Sequence, residues 1–462
     1  MIFDSSYDVA VIGGGVVGCA MARRFTLEGA KVVLLEKAPD ILTGASKGNS
    51  AILHTGFDAP PGSLELTCIR RGYQEYLEIR EGLGLPWLKT GAVVVAWNEH
   101  EAAQLDALEA RAKANGVIDV RQISRNELLE REPNLSPKAQ AGLVVSGESI
   151  IDPWSAPLAY LRQAIENGAE TRFSTPVLSG TFSGSTWNLV TESGPIVART
   201  VINCAGLFGD IVESRLLGSA GFTIRPVKGQ FVVFDKAATK LLNSILLRVP
   251  TERTKGILLA RTIFGNVLIG PTAEEQQDRE RATVDRNSLK MLLERAAEII
   301  PALKSIPVTA VYAGLRPATE RREYRISFHP AWQYAAVGGI RSTGLTSALG
   351  IARHVFALYS ERGSRHTALE RPLWSQTANL AEHCARDWQS PGYGEIICHC
   401  ELTTRREVEQ AFAGPLPARD FGGLKRRTRA GMGRCQGFYC SARLADLSRG
   451  RLVDPLALEG RG

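Results

Sequence analysis

Two sets of residues in this chain have types and spacings suited to chemistry. The first is Cys398, Cys400, Cys435 and Cys440, a C-x-C pair and a C-x4-C pair separated by 34 residues. Four soft thiolates from two short loops suit an iron–sulfur cluster. A tetrahedral four-cysteine zinc site is the alternative, although zinc sites more often use C-x2-C pairs. A disulfide is disfavoured in a reducing compartment. The second set is Gly13, Gly15 and Gly18, spaced G-x-G-x-x-G, with Glu36 following 18 residues after Gly18. Gly13 permits a tight turn, Gly15 lets the backbone approach a pyrophosphate, and Gly18 lets a helix pack closely on a strand. The helix N-terminus then offers N–H groups and a positive dipole end to phosphate. Glu36 can accept ribose hydroxyls, and an acid at that place argues against NADP.

The glycine triad means this only if it joins a strand to a helix. Residues 7–12, YDVAVI, read as a short buried strand, residues 13–18 as the turn into a helix that runs through Arg24, and residues 31–37 as a second buried strand. Residues 38–63, rich in Gly, Ser, Pro and Asn, read as a long loop. Helical character recurs at 102–114, 125–132 and 157–167, and strands at 171–180, 187–193 and 195–206, the last ending in the small residues Ala205 and Gly206. An amphipathic helix at 288–300 is ended by Pro301. Residues 332–359 repeat the opening theme: a strand, a turn with Gly339 and Gly344, and a helix from about Thr346. A positive helix end suits the pyrimidine edge of a flavin, where reduction leaves negative charge. A simple NAD dehydrogenase would not need this second turn, so the pair of turns points to FAD.

Several of these segments together resemble a known family: GGGVVG with LLEK, NSAILHTG at 49–56, VINCAG at 201–206, GLRPAT at 314–319 and GIRSTGLTSALGIA at 339–352. They are similar to the FAD-dependent oxidoreductases of the D-amino-acid oxidase superfamily, within it to the glycerol-3-phosphate dehydrogenase and L-2-hydroxyglutarate oxidase branch. The resemblance implies an α/β fold over residues 1–365: a glutathione-reductase-type FAD domain (about 1–85, 145–215 and 310–362) with an inserted β-sheet substrate domain (about 86–144 and 216–309). It gives Gly13, Gly15, Gly18 and Glu36 the ADP half, and Lys37, Ser46, Asn49 and Ser50 the pyrophosphate and flavin approach. Val177 meets adenine through its backbone, and Ala205 and Gly206 pass by the dinucleotide. Gly339, Gly344, Leu345 and Thr346 hold the isoalloxazine, with His54 close to the ring.

Residues 366–395 read as a linker or wrapping arm before a compact unit at 396–450. That unit resembles the bacterioferritin-associated ferredoxin-like [2Fe-2S] domain and the tail of the anaerobic glycerol-3-phosphate dehydrogenase large subunit. The resemblance makes Cys398, Cys400, Cys435 and Cys440 the cluster ligands and leaves Cys384 without a role. A flavin accepts a hydride, two electrons at once, whereas a cluster passes one at a time. Their union implies a dehydrogenase that hands electrons to an acceptor or partner subunit, quinone-linked or otherwise, rather than a simple oxidase. His54 is the expected base. Arg316 and Arg341, each after a glycine-containing turn, are the expected clamp for an anionic substrate, a salt bridge to Glu320 being the alternative. The substrate class is a small anionic secondary alcohol, a polyol phosphate or a 2-hydroxy acid. The sequence Phe57-Asp58-Ala59-Pro60-Pro61 departs from both branches, which commonly have an arginine or tyrosines there, so amino-acid or imino-acid oxidation stays open. So does a non-catalytic electron-transfer subunit.

Composition sets outer limits. With 462 residues, 44% hydrophobic and 22% charged, the chain is neither disordered nor fibrous. No apolar run approaches the roughly 20 residues needed to span a bilayer, and the first residues lack the pattern of an export signal. The expected location is cytoplasmic, or peripheral at the inner face of the cell membrane through a partner in a hetero-oligomer. The net charge of +7 is local: residues 419–451 hold nine basic residues against Asp420 and Asp446. No aromatic-interleaved motif accompanies that run, so nucleic acid is not expected. The run reads as a field that balances an anionic centre or docks an acidic partner.

Overall fold

The computed structural model describes residues 6–250, 256–361 and 366–457. Its first sheet is built around Tyr7–Ile12, which lies parallel between Val32–Leu35 and Gly194–Asn203. Glu170–Arg172 continues the parallel order on one side and Tyr334–Gly338 on the other. Val32–Leu35 is buried throughout, as a strand covered on both faces must be, which is why it reads as an unbroken apolar run. The register sets Ile12 beside both Leu35 and Asn203. The turns after these strands, at Gly13, Glu36 and Cys204, therefore open along one carboxyl edge, where ligands of such sheets bind.

The helix after Gly15 runs Val16–Leu27, a turn beyond Arg24. The 102–114 helix is two pieces, Glu99–Ala102 and Leu105–Ala114. The expected strand at 171–180 is divided into Glu170–Arg172 and Val177–Phe182, and the second piece forms an antiparallel meander with Trp187–Thr191 and Gly194–Asn203. A long helix, Leu64–Leu83, follows the glycine-rich loop without having been anticipated. Ser63 caps it by accepting from Leu66 N at 3.1 Å, and left-handed Gly84 ends it. It crosses the helix Gly344–Ser360 backbone to backbone. A Cβ on Gly72 would overlap the Thr346 carbonyl oxygen, and one on Gly350 would overlap that of Cys68. This contact fixes the turn that precedes Gly344.

The second sheet, nine-stranded among the described residues, is mainly antiparallel. Its longest pairing joins Ile224–Phe234 to Val308–Thr319 and sets Arg316 opposite Val227. The amphipathic helix Arg286–Ile299 covers it, and Pro301 opens a 3-10 turn in place of a further α-helical one. Residues 366–382 wrap across both sheet layers. Leu369 N donates to Leu27 O, Thr377 N to Leu83 O and Glu382 N to Ile263 O.

The last unit carries the short strands Ile396–Cys398 and Thr403–Thr404 and the helices Arg405–Ala411, Phe421–Thr428 and Ser441–Leu447. Its core is small, built of Ile397, Cys398, Val408, Leu424, Ala430, Cys440 and Leu444 with a few neighbours, and a core of this size is marginal alone. It leans on the rest of the chain through part of the basic run: Arg426, Arg427 and Arg429 turn inward, whereas Arg419, Arg434, Arg443, Arg449 and Arg451 stay exposed. Arg427 grips Asp40 with two hydrogen bonds of 2.9 Å. Arg426 donates to Ile41 O at 2.9 Å and Arg419 N to Asp40 at 3.0 Å. On the other sheet Arg434 pairs with Asp235, and Arg429 lies over Phe264 while holding Glu401.

Asp40 is 1% exposed, so Arg427→Ala leaves a buried carboxylate without its counter-ion. Breaking such a pair costs about 3–5 kcal/mol. Gly423→Ala improves helix propensity by about 1 kcal/mol, yet its Cβ would overlap Asp40 Oδ2, and the net effect is destabilising. Urea unfolding with limited proteolysis should show the C-terminal unit released first in both variants. Unchanged midpoints and unchanged protease resistance would mean that the unit does not depend on this contact.

Candidate functional site

A single cavity of about 1480 Å3 runs along the carboxyl edge of the first sheet and on beneath the second. Ligand pockets usually measure roughly 300–1,000 Å3, so this one has room for a dinucleotide and a small substrate together. Gly13 has φ +110° and a Cβ there would stand 2.6 Å from Cys204 O. A Cβ on Gly18 would overlap the Gly13 carbonyl oxygen. These two glycines are required by backbone contact, and Gly18 lies behind the wall. Gly15 lines the cavity, where a Cβ would project toward Ser46 Oγ at 3.2 Å. Ser46 in turn accepts from Val16 N at 3.0 Å. Glu36 lines the same wall and accepts from Gly14 N at 2.5 Å and Ala38 N at 2.8 Å. Burial pushes its carboxyl above the usual range, against the opposing effect of those N–H donors. Each oxygen keeps a further lone pair for a ribose hydroxyl.

Lys37, Asn49, Ser50, Val177, Ala205 and Gly206 also line the cavity. Lys37 is partly engaged, pairing with Glu280 at 3.0 Å and standing over the Phe208 ring at 3.6 Å. Asn49 shapes its loop by accepting from Ala51 N at 2.7 Å. At the other end are Gly339, Gly344 and Leu345. Thr346 is buried, and its hydroxyl accepts from His54 N at 2.9 Å and donates to Ile52 O at 3.2 Å. It ties His54 to the start of the helix rather than facing the cavity. Glycine backbones, an acid beside them and a helix N-terminus at the far end are the walls that FAD requires.

His54 faces this cavity. Its Nδ1 is 2.9 Å from Oε2 of Glu148, a residue 94 positions away that is fully buried. The other oxygen of Glu148 accepts from Thr55 N at 2.6 Å and Thr55 Oγ1 at 2.8 Å. Sequence reasoning missed Glu148, because nothing local marks it among the chain's many acids. The pairing of Ile52–Leu53 with Ser149–Ile151 is what brings it to the histidine. Arg316 and Arg341 lie in the same cavity. Arg316 donates from Nη1 and Nη2 to Thr272 O at 3.3 Å, and the absent side chain of Gly229 leaves space for its guanidinium. Burial pushes that guanidinium down to about 10, with the like charge of Arg341 acting in the same direction. Glu320, the alternative partner, accepts instead from Thr223 N at 2.9 Å and lies 3.8 Å from Arg325. Among the described residues neither cavity arginine has a carboxylate partner.

The four C-terminal cysteines come together as neighbouring pairs, Cys398 with Cys440 and Cys400 with Cys435. Among the described residues no three His, Cys, Asp or Glu side chains surround one metal position. A two-by-two array suits two irons better than one zinc ion. Backbone N–H groups of Tyr439, Gly437 and Phe438 point at the Cys435 sulfur and hold its thiol below the usual range. Burial pushes Cys440 up to about 11. N–H groups aimed at sulfur are what an anionic cluster needs around it. Cys384 is exposed and stands outside this group.

Comparison with known proteins agrees with both halves of this geometry. The model of the FAD dependent oxidoreductase family matches residues 8–358, and that of the BFD-like [2Fe-2S] binding domain matches residues 396–447. The glycerol 3-phosphate dehydrogenase of Caloramator mitchellensis is 31% identical over 449 residues, covering 96% of this chain and 93% of that protein. The glycerol 3-phosphate oxidase of Mycoplasma pneumoniae is 31% identical over 386 residues, 81% of this chain and 98% of that one. The L-2-hydroxyglutarate dehydrogenase of Escherichia coli is 28% identical over 273 residues, 58% of this chain and 64% of that one. Among solved structures, the dithionite-reduced, FAD-bound L-alpha-glycerophosphate oxidase of Mycoplasma pneumoniae superposes with a TM-score of 0.76 at 28% identity, over 81% of this chain and all of that one. A glycine oxidase from Geobacillus kaustophilus, at 22% identity and TM-score 0.70, shares the fold. With these matches over the cavity-forming residues and over the four-cysteine unit, the chain belongs to the FAD-dependent oxidoreductase family and carries a C-terminal BFD-like [2Fe-2S] domain.

Proposed function

We propose that the chain is a dehydrogenase that oxidises a small anionic secondary alcohol, glycerol 3-phosphate first and a 2-hydroxy acid such as L-2-hydroxyglutarate second. Its electrons leave through the [2Fe-2S] cluster. One observation carries this reading: two arginines, Arg316 and Arg341, face the cavity that His54 lines, and neither has a carboxylate partner among the described residues. Like charges held close together are costly unless an anion joins them. A phosphate or carboxylate on the Arg316 fork, with Arg341 beside it, would fix the substrate's carbinol carbon in the cavity. His54 then takes the hydroxyl proton. FAD, when bound, accepts the C–H hydrogen with its electron pair, so that the alcohol leaves as a ketone, two electrons and two hydrogens poorer. The Mycoplasma pneumoniae oxidase is matched over nearly its full length by 81% of this chain. The Caloramator mitchellensis dehydrogenase is matched over 93% of its length by 96% of this chain, C-terminal unit included. That contrast favours an external electron acceptor over oxygen.

The acceptor or partner subunit, quinone-linked and met at the inner face of the cell membrane, would approach at the cluster. Support comes from Phe438 and Tyr439, 81% and 78% exposed in the loop between Cys435 and Cys440. Among the described residues no helix is long and apolar enough to cross a membrane. The working state in this reading is a cytoplasmic or membrane-peripheral hetero-oligomer.

Anaerobic bleaching of the flavin by a panel of polyol phosphates, 2-hydroxy acids and amino acids tests the substrate class. Bleaching by amino acids alone would overturn it, and bleaching by none would leave an electron-transfer subunit. A charge-assisted pair is worth about 1.5–3 kcal/mol, so Arg316→Ala and Arg341→Ala should each raise KM by about 10- to 150-fold, with Arg→Lys restoring only part. Unchanged KM in both, at full flavin content, would place the anion site elsewhere. Cys435→Ala should abolish the cluster's absorbance and slow electron delivery to a dye or quinone acceptor while substrate still bleaches the flavin. Equal acceptor rates with and without the cluster would refute the proposed electron route.

A further inference from the structure

We propose that Glu148 is a positioning residue: its carboxylate holds the His54 imidazole in the Nδ1–H tautomer, so that Nε2 faces the cavity with a free lone pair. The inference deepens the reading of His54 as the base and rests on it. Glu148 Oε1 is occupied by two donors, Thr55 N at 2.6 Å and Thr55 Oγ1 at 2.8 Å. Only Oε2 is left, and it meets Nδ1 at 2.9 Å. A carboxylate is an acceptor, and an imidazole holds a proton more tightly than a carboxylate does. The proton between them therefore sits on Nδ1, and in the neutral ring Nε2 is the acceptor. Nε2 has no protein partner among the described residues, while His54 lines the cavity.

The arrangement is rigid. His54 N is tied to Thr346 Oγ1 at 2.9 Å. The turn that carries Glu148 is tied by Tyr73, whose hydroxyl donates to Gly147 O at 2.8 Å. A Cβ on Gly147 would stand 2.8 Å from Thr55 Cγ2, so the turn lies flat against the His54 strand. Tyr73 lies near both Glu148 and Asp119. Burial, with the charges of Glu148 and Asp119, pushes the Tyr73 phenol up, so it stays neutral and supplies no competing proton. Among the described residues, Glu148, fully buried, is the one acid in hydrogen-bond contact with the ring.

Glu148→Gln separates charge and tautomer from shape. Thr55 N can only donate, so the amide oxygen must stay at the Oε1 position and the amide NH2 must face Nδ1. The ring is then forced to carry its proton on Nε2, the wrong nitrogen for a base, with every heavy atom in place. Flavin reduction by saturating sn-glycerol 3-phosphate, followed anaerobically, should slow by about 10²- to 10⁴-fold. KM should move little, because the clamp is untouched. Glu148→Asp should recover part of the rate. Nitrogen-15 NMR of histidine-labelled protein reads the tautomer directly: Nδ1–H for His54 in the wild-type protein, Nε2–H in Glu148→Gln. A wild-type His54 protonated on Nε2 overturns the proposal even where the variant does not fold, as does a Glu148→Gln enzyme with unchanged rate. The reading of His54 as base fails separately, through a His54→Asn variant that reduces its flavin at the wild-type rate.

Discussion

Close backbone contact, possible only where a Cβ is absent, is the constraint on which the rest of this structure depends. At Gly13 the turn after the first strand presses on Cys204 at the end of a strand from much later in the chain, and Gly18 presses on Gly13 in turn. At Gly72 and Gly350 two long helices touch through their backbones. The first contact brings three strand ends and one helix start to a common edge. The second sets the start of a second helix, through Thr346, against the strand that bears His54. An alanine at any of these positions must separate backbones rather than displace a side chain. Protein interiors have no slack to absorb that movement.

The same edge explains why the small C-terminal unit is part of the molecule rather than an appendage. Asp40 lies between Glu36 and Ser46, in the loop that also sends Leu42 N to Gly14 O. Arg427, Arg426 and the backbone of Arg419 fasten that loop from outside. On the opposite side the unit rests on Phe264, which stacks on Trp154, whose indole N–H donates to Lys47 O. Both faces of the unit therefore press on segments that border the cavity. Two cofactors that must exchange electrons benefit from a fixed separation, and a buried ion pair supplies geometry even where its net contribution to stability is small.

What the sequence made legible was local. The glycine triad, the strands beside it, the turn at Gly339 and Gly344, and the cysteine spacing all depend on residues close together in the chain, and their physical meaning survives without neighbours. The helix Leu64–Leu83 escaped notice because its apolar positions are interrupted by Arg70, Arg71 and Gly72, and the glycine that weakens the pattern is the one its partner helix requires. The basic run was visible as charge, but its direction was not. Whether Arg427 meets solvent or Asp40 is decided across 387 positions. Glu148 was invisible for the same reason: an acid acquires a role from the ring it meets, and the meeting is made by strand pairing.

The cavity arginines gain their meaning from how this chain treats its other buried and half-buried cations. Arg23 and Arg24 share Glu75 in a tight pair of salt bridges at 2.8 and 2.6 Å. Arg427 has Asp40, Arg429 has Glu401, and Arg279 grips Asp210. Neutralising a buried guanidinium with a carboxylate is thus this fold's regular solution, and it follows from the high cost of an unpaired charge away from water. Arg316 departs from it. Among the described residues it has only the Thr272 carbonyl, and a second cation, Arg341, close enough to lower its proton affinity. Stability alone would remove such a pair or give it an acid, and Glu320 four residues along is committed to Thr223 instead. In the proposed reading, these two positive charges, without a carboxylate among the described residues, are completed by an anionic substrate that also offers a proton to His54 in the same cavity.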